Sequence, residues 1–324
     1  MMRSLCLSLI AVFCLHFLAA GSGIAAEEKG GSLGTATVGG TFYVWAGPWT
    51  QIAAKAIPNY QISVEVTGGP VHNMKLVHSG ELEFGLMSMP AAYEGYKGLG
   101  WAEGKRYDKV RVLFPMYPSY ATPWALDKSG IRNFRDLEGK IFAPGPKGGT
   151  PDQYYRIMLD ILGVKPKKIV NTGMSDLPGQ MTDGLIDAAA GTGGEPFGPA
   201  QETDATSPVK ILEWDQADLD KITKELPSFF IGMRPAGGYK LFTEPQPTLQ
   251  YWNIYACNND LSDDLAYKLT KCFFENLEHF ENIYAPTCDT KPIDILKSAI
   301  PLHRGAAKFY REQGVEIPAS LLVD

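Results

Sequence analysis

Two stretches of the chain repeat one order of parts. TATVGGTFYVWAGPWTQIAAKA, from Thr35, and KIFAPGPKGGTPDQYYRIMLDILG, from Lys140, each run from an apolar strand through a glycine-rich turn into a helix. Each is followed by a unit in which a helical stretch ends at glycine before an acidic residue and a strand: HSGELEFGLMS from His78 and TDGLIDAAAG from Thr182. Strands alternating with helices favour a parallel or mixed sheet with helices on its faces. The duplicated order predicts two α/β lobes, each presenting glycine turns to a cleft between them.

Strand signals fall at Thr35–Val38, Gln61–Val66, Glu83–Ser88 and Val110–Met116, then restart at Lys140–Ala143, Lys168–Asn171, Leu185–Ala190 and Val209–Leu212. Trp45, Trp49, Ile52 and Ala56 recur at helical spacing and form one apolar face before Pro58. Beyond Pro227 the chain offers a strand, TLQYWNIYAC, and a helix from Ser262 to about Ile283, capped by Ser262 with Asp263 and Asp264 behind it. No third set of strand and glycine-turn signals follows, so this tail is assigned to the first lobe. The expected domains are residues 27–122 with 235–324, and residues 123–234. The crossings between them are expected near Thr122–Leu126 and Phe229–Ala236.

The N-terminus reads as an export signal: Arg3, an apolar run from Leu5 to Ala20, and small residues ending at Ala25 and Ala26. The run falls short of the about 20 residues a membrane span needs. Lipidation at Cys14 is disfavoured by the bulky Phe13 before it. Residues 1–26 are thus expected to be removed, leaving a periplasmic, monomeric protein. The net charge is −6 and no basic patch is interleaved with aromatics, which excludes nucleic acid as a partner class. Of five cysteines, Cys257, Cys272 and Cys288 lie beyond the signal. Cys272 sits in an apolar helical run and reads as a buried thiol; a Cys257–Cys288 bridge stays open.

In GPKGGTPDQ, Thr150 can cap a helix opening at Pro151, and Gln153 completes a capping box. Gly148 and Gly149 leave amides uncovered at that start, where the helix dipole favours an anion, and Lys147 adds charge. TGGPVHNM, from Thr67 through Gly68 and Gly69 to Asn73, follows a strand and opens a helix in the same way. GGTFY, holding Gly40, Thr41 and Tyr43, and GTGGEP, holding Thr192, Gly193, Gly194 and Glu195, are further such turns. Glu195 is placed to meet a ligand amine, and Tyr43 or Trp45 to pack on the ligand. Catalytic readings find little: His72 and His78 lie six apart, which is not same-face metal spacing, and no GxSxG elbow is present. No cofactor, metal or enzymatic activity is expected. An exported enzyme using Glu195 as base, or a ligand-sensing receptor, are the alternatives.

GGTFY, TGGPVHNM, SGELEFGLMS, GIRNFRDLEGKIFAPGPKGGT, DGLIDAAAGTGGEP and IPLHRGAAKFY, in that order, resemble the TAXI solute-binding proteins of TRAP (tripartite ATP-independent periplasmic) transporters. The likeness runs from about Gly34 to Gly314. It implies a type II periplasmic binding protein fold that captures a small organic acid and delivers it to the permease subunits of an ion-gradient-driven transporter. It also implies ligand contacts from Thr41, Tyr43, Thr67–Gly69, Asn73, Ser88, Gly148–Thr150 and Thr192–Glu195. The chain departs from the family pattern at Phe42, Val44, Trp45, Pro70, His72, Met87, Met89, Lys147 and Gly148, which implies a cleft less polar and more aromatic than an amino-acid site; Arg304, where the family has Pro, reads as a surface change.

Overall fold

The computed structural model describes residues 29–36, 38 and 40–322; the expected export signal lies outside them. The strands are β1 (Lys29–Gly34), β2 (Tyr60–Glu65), β3 (Phe84–Ser88), β4 (Val110–Leu126), β5 (Ile141–Ala143), β6 (Lys168–Ile169), β7 (Ala188–Gly193), β8 (Val209–Ile211), β9 (Phe230–Arg234) and β10 (Gln246–Asn258). The helices are α1 (Thr41–Ala56), α2 (Pro70–Ser79), α3 (Met89–Lys97), α4 (Thr150–Leu162), α5 (Leu177–Thr182), α6 (Gly198–Thr206), α7 (Gln216–Glu225), α8 (Asp263–Phe274), α9 (Glu281–Tyr284) and α10 (Arg304–Glu312).

All ten strands among the described residues join one mixed sheet in the order β2-β1-β3-β10-β4-β7-β5-β6, with β8 on β4 and β9 on β10. The parallel pairs β1–β2, β1–β3, β5–β6 and β5–β7 flank two long antiparallel strands, β4 and β10. The fold is the mixed α/β arrangement expected of a type II binding protein. Each of β1, β2, β3 and β5 runs into a helix at its C-terminal end, so the starts of α1, α2, α3 and α4 gather at the strands' carboxyl edge.

The hydrophobic core is divided. One cluster draws on Leu33 through Tyr117 and on Ile254 through Leu321; two others draw on residues between Ala121 and Tyr251. Trp45 and Trp49 anchor the first: Trp45 stacks on Phe280 at 5.0 Å, and Phe114 stacks on Phe273 at 4.1 Å. Burying each such ring contributes about 1.5–3 kcal/mol. Core membership changes between Tyr117 and Ala121 on β4 and between Tyr251 and Ile254 on β10. The segment Phe230–Arg234, near which a return crossing is expected, forms strand β9, paired to Gln246–Gln250.

Several elements differ from the sequence reading. The first strand is Lys29–Gly34, ahead of Thr35. Its glycines are required by close packing: a Cβ at Gly31 would lie 2.5 Å from the Tyr60 hydroxyl, and one at Gly34 2.5 Å from Asn73 Oδ1. Strand β4 runs to Leu126 despite Pro115, Pro118 and Pro123. The expected long helix is cut after Phe274, although Ser262 caps it by accepting the Leu265 amide at 3.3 Å. Cys257, Cys272 and Cys288 are all free thiols.

Candidate functional site

Ser88 ends β3, and Thr150 opens α4. Their hydroxyls meet at 3.2 Å, joining the two core regions directly. Beneath them, Tyr251 donates to Thr192 Oγ1 at 2.7 Å, and Asn253 Nδ2 donates to Ser119 Oγ at 2.7 Å. Burial pushes the Tyr251 phenol up to about 12, opposed by hydrogen bonding to Thr192, Ser119 and Thr150. These six residues form a ring of neutral polar groups, with Ser119 on β4, Tyr251 and Asn253 on β10, Thr192 on β7, and Ser88 and Thr150 at the end of β3 and the start of α4. Nearby, Tyr117 and Tyr284 pack with ring centroids 4.5 Å apart.

Two further contacts join the same two regions. Gln153 Nε2 donates to Glu94 Oε2 at 3.2 Å, and the Gly194 amide donates to the Tyr284 hydroxyl. Burial raises the Glu94 carboxyl, against hydrogen bonds from its neighbours that include the Trp101 amide and Gln153. The electrostatics of the strands' carboxyl edge come from helix starts. The first turns of α1, α2 and α3 contain no acidic residue. Asp152 in the first turn of α4 is offset by Arg156 Nε at 2.7 Å and Asn171 Nδ2 at 2.8 Å, and its carboxyl is held below the usual range. Burial alone would raise Asp152; the bonds from Asn171, the Gly148 amide and Arg156 outweigh it.

Of the residues singled out from sequence, Ser88, Thr150 and Thr192 converge on the ring. Gly40 is the N-cap of α1, and Thr41 and Tyr43 are half-buried in its first turn. Thr67 accepts the Gly69 amide at 3.1 Å and donates to Thr35 O, while the Gly68 amide donates to His72 Nδ1. Asn73 is fully buried, and its Nδ2 is shared among the carbonyls of Gly34, Thr35 and Leu86. It ties the end of β1 to the middle of β3 and has no donor left for a ligand.

Other expectations are corrected. Trp45 is fully buried in the core, its Nε1 donating to Thr287 Oγ1 at 3.1 Å, because the apolar face of α1 points into the first lobe. The capping box at Thr150 does not form: Gly149 is the N-cap, and Gln153 reaches across to Glu94 instead. The Gly148 amide donates to Asp152 Oδ2 at 3.0 Å and the Gly149 amide to Pro146 O at 3.1 Å, so neither is uncovered. Lys147 is exposed beside them. Gly193 is a buried β7 residue, and the Gly194 amide is taken by Tyr284.

Glu195 is the largest departure. Its side chain is 4 % exposed and pairs with Arg234 Nε at 2.8 Å. It also accepts Thr122 Oγ1 at 2.6 Å and the Tyr239 hydroxyl at 2.6 Å. Thr122 and Ser119 are three apart on β4, so their side chains lie on opposite faces of the sheet. Glu195 therefore stands behind the sheet from the ring. Sequence reasoning missed Ser119, Tyr251, Asn253 and Tyr284. The one available signal was a polar Asn253 inside the apolar run Tyr251–Cys257 of β10.

A cavity of about 370 Å³ lies elsewhere, between α8 and α10. Its rim is already paired, Lys271 with Glu275 at 3.7 Å and Tyr267 with Glu312 at 2.7 Å. Among the described residues no group of three His, Cys, Asp or Glu is arranged to hold a metal, and no helix is long and apolar enough to cross a membrane.

Comparison with known proteins finds a match to the model of the NMT1-like family over residues 33–314. The periplasmic binding protein BugD superposes with a TM-score of 0.51 at 13% identity, covering 89% of this chain and 99% of that one. XAC2383 from Xanthomonas citri, bound to ATP, gives 0.49 at 11% identity over 88% and 95%. A putative L-cystine ABC transporter protein from Listeria monocytogenes gives 0.48 at 12% over 79% and 96%. The BugD likeness is one of fold.

Proposed function

The chain belongs to the NMT1-like family, and from that premise we propose that it is a periplasmic receptor. It closes two lobes on a small organic anion and delivers it to an ion-gradient-driven TRAP permease. The observation that carries this reading is the gathering of four helix starts at one cleft, three of them without an acid in the first turn. Aligned peptide dipoles at such starts favour a carboxylate even where the turn amides of Gly68, Gly69, Gly148 and Gly149 already have partners within the protein. The fold shared with the periplasmic binding protein BugD supports a hinge-closing mechanism. The TAXI-like motifs supply the choice of a TRAP permease.

In this reading the lobes meet where core membership changes, within β4 between Tyr117 and Ala121 and within β10 between Tyr251 and Ile254, so Tyr239, Phe242, Leu249 and Tyr251 pack with residues 123–234. Ser88, Thr150 and Thr192 are the ligand-facing side chains, and Thr41, Tyr43 and the Thr67–Gly69 turn form the carboxylate corner. A ligand that binds only the folded protein raises its unfolding midpoint with concentration. Thermal unfolding against small carboxylic acids, with mass analysis of the recovered acid, tests the proposal. A rising midpoint with the acid unaltered is expected. Chemical conversion of the acid would replace the receptor with an enzyme.

A further inference from the structure

We propose that the ligand is a hydroxylated carboxylic acid and not an amino acid. This rests on the receptor reading above and names its ligand class. An ammonium group taken from water into a closed cleft needs a carboxylate partner, since burying an unpaired charge is costly. The acid best placed by sequence, Glu195, is sequestered: Arg234, Thr122 and Tyr239 occupy its oxygens, and it lies on the far face of β4 from Ser119. Asp152 is occupied by Arg156, Asn171 and the Gly148 amide. Glu94 is buried, and its Oε2 accepts both Gln153 Nε2 and the Trp101 amide.

The cleft floor offers hydroxyls instead. Among the described residues no carboxylate hydrogen-bonds to Ser88, Ser119, Thr150, Thr192, Tyr251 or Asn253. Ser88, Ser119, Tyr251 and Asn253 are all at least nine-tenths buried. Each hydroxyl both donates and accepts and can rotate to suit its partner. A ligand hydroxyl entering between Ser88 and Thr150 replaces one bond with two and leaves no buried group unmatched. An ammonium there would donate three protons to neutral oxygens without neutralisation.

The test is isothermal titration of the mature protein with matched acids: L-malate against L-aspartate, glycerate against serine, and 2-hydroxyglutarate against glutamate. At least one hydroxy acid is expected to bind at least ten-fold tighter than its amino counterpart. Ser88→Ala and Thr150→Val are expected to weaken malate several-fold while leaving succinate, which lacks the hydroxyl, within two-fold. An amino acid binding as tightly as its hydroxy counterpart would overturn the ligand class and leave the receptor standing. Equal losses for malate and succinate would make Ser88 and Thr150 mere lobe contacts and overturn it too. Failure of every acid to bind would remove the receptor reading itself.

Discussion

Replacing Arg234 with Met tests the assignment of Glu195 to the structure of the second lobe. Arg234 is fully buried; Nη2 donates to Ala121 O at 2.6 Å and Nε to Glu195 Oε1 at 2.8 Å. Arg234→Met leaves a carboxylate whose side chain is 4 % exposed with only two hydroxyl donors. Stranding one partner of a buried pair costs about 3–5 kcal/mol, whereas removing both in favour of apolar side chains is often close to neutral. At roughly 2 °C per kcal/mol for a chain this long, the single variant should melt roughly 6–10 °C lower. Urea unfolding of both single variants and of Arg234→Met/Glu195→Met gives a double-mutant cycle. A coupling of about 2 kcal/mol or more is expected, because the second substitution removes the stranded charge. Additivity within about 0.5 kcal/mol would refute the reasoning and return Glu195 to the list of free cleft acids.

Trp45→Ala should cost about 3–5 kcal/mol in urea unfolding, while the folded fraction keeps its ligand affinity; a selective loss of affinity would restore Trp45 to the site. A Cβ at Gly194 would lie 2.5 Å from Pro286 and 2.6 Å from the Tyr284 hydroxyl, so Gly194→Ala should hold the lobes apart. Small-angle scattering should then show a larger radius of gyration than wild type, and an unchanged radius would contradict the contact. Glu94 has a raised folded pKa, so its favourable contribution is full below the ordinary carboxylate range and is lost as pH rises through the folded value. The melting advantage of Glu94→Gln over wild type should therefore grow from about pH 4.5 to pH 7; a constant difference would show that Glu94 is solvated.

The fold was legible where local pattern and tertiary role agree. The glycine turns after strands mark the starts of α1, α2 and α4, and Ser262 caps α8 as its sequence requires. Strand β1 was misplaced because KGGSLG lacks β-branched residues; its glycines answer to the crowding of Tyr60, Phe84 and Asn73, which local sequence cannot show. Site residues on helix starts and strand ends, Ser88, Thr150 and Thr192, could be named. Ser119, Tyr251 and Asn253 could not, because they lie within the two connecting strands, and their meeting depends on the register that sets Tyr251 opposite Ser119. Glu195 misled for a related reason: Arg234, its partner, is 39 residues away in sequence on the unforeseen strand β9.

Solute capture in the cleft is tested most directly by native mass spectrometry of the protein isolated from the periplasm of its own cells, with excess hydroxy acid added to one half of the sample. One small acid per chain, released intact on denaturation and at lower occupancy in Ser88→Ala with Thr150→Val, is the predicted result. A protein that stays bare in both halves, or that returns the acid chemically changed, would contradict the account.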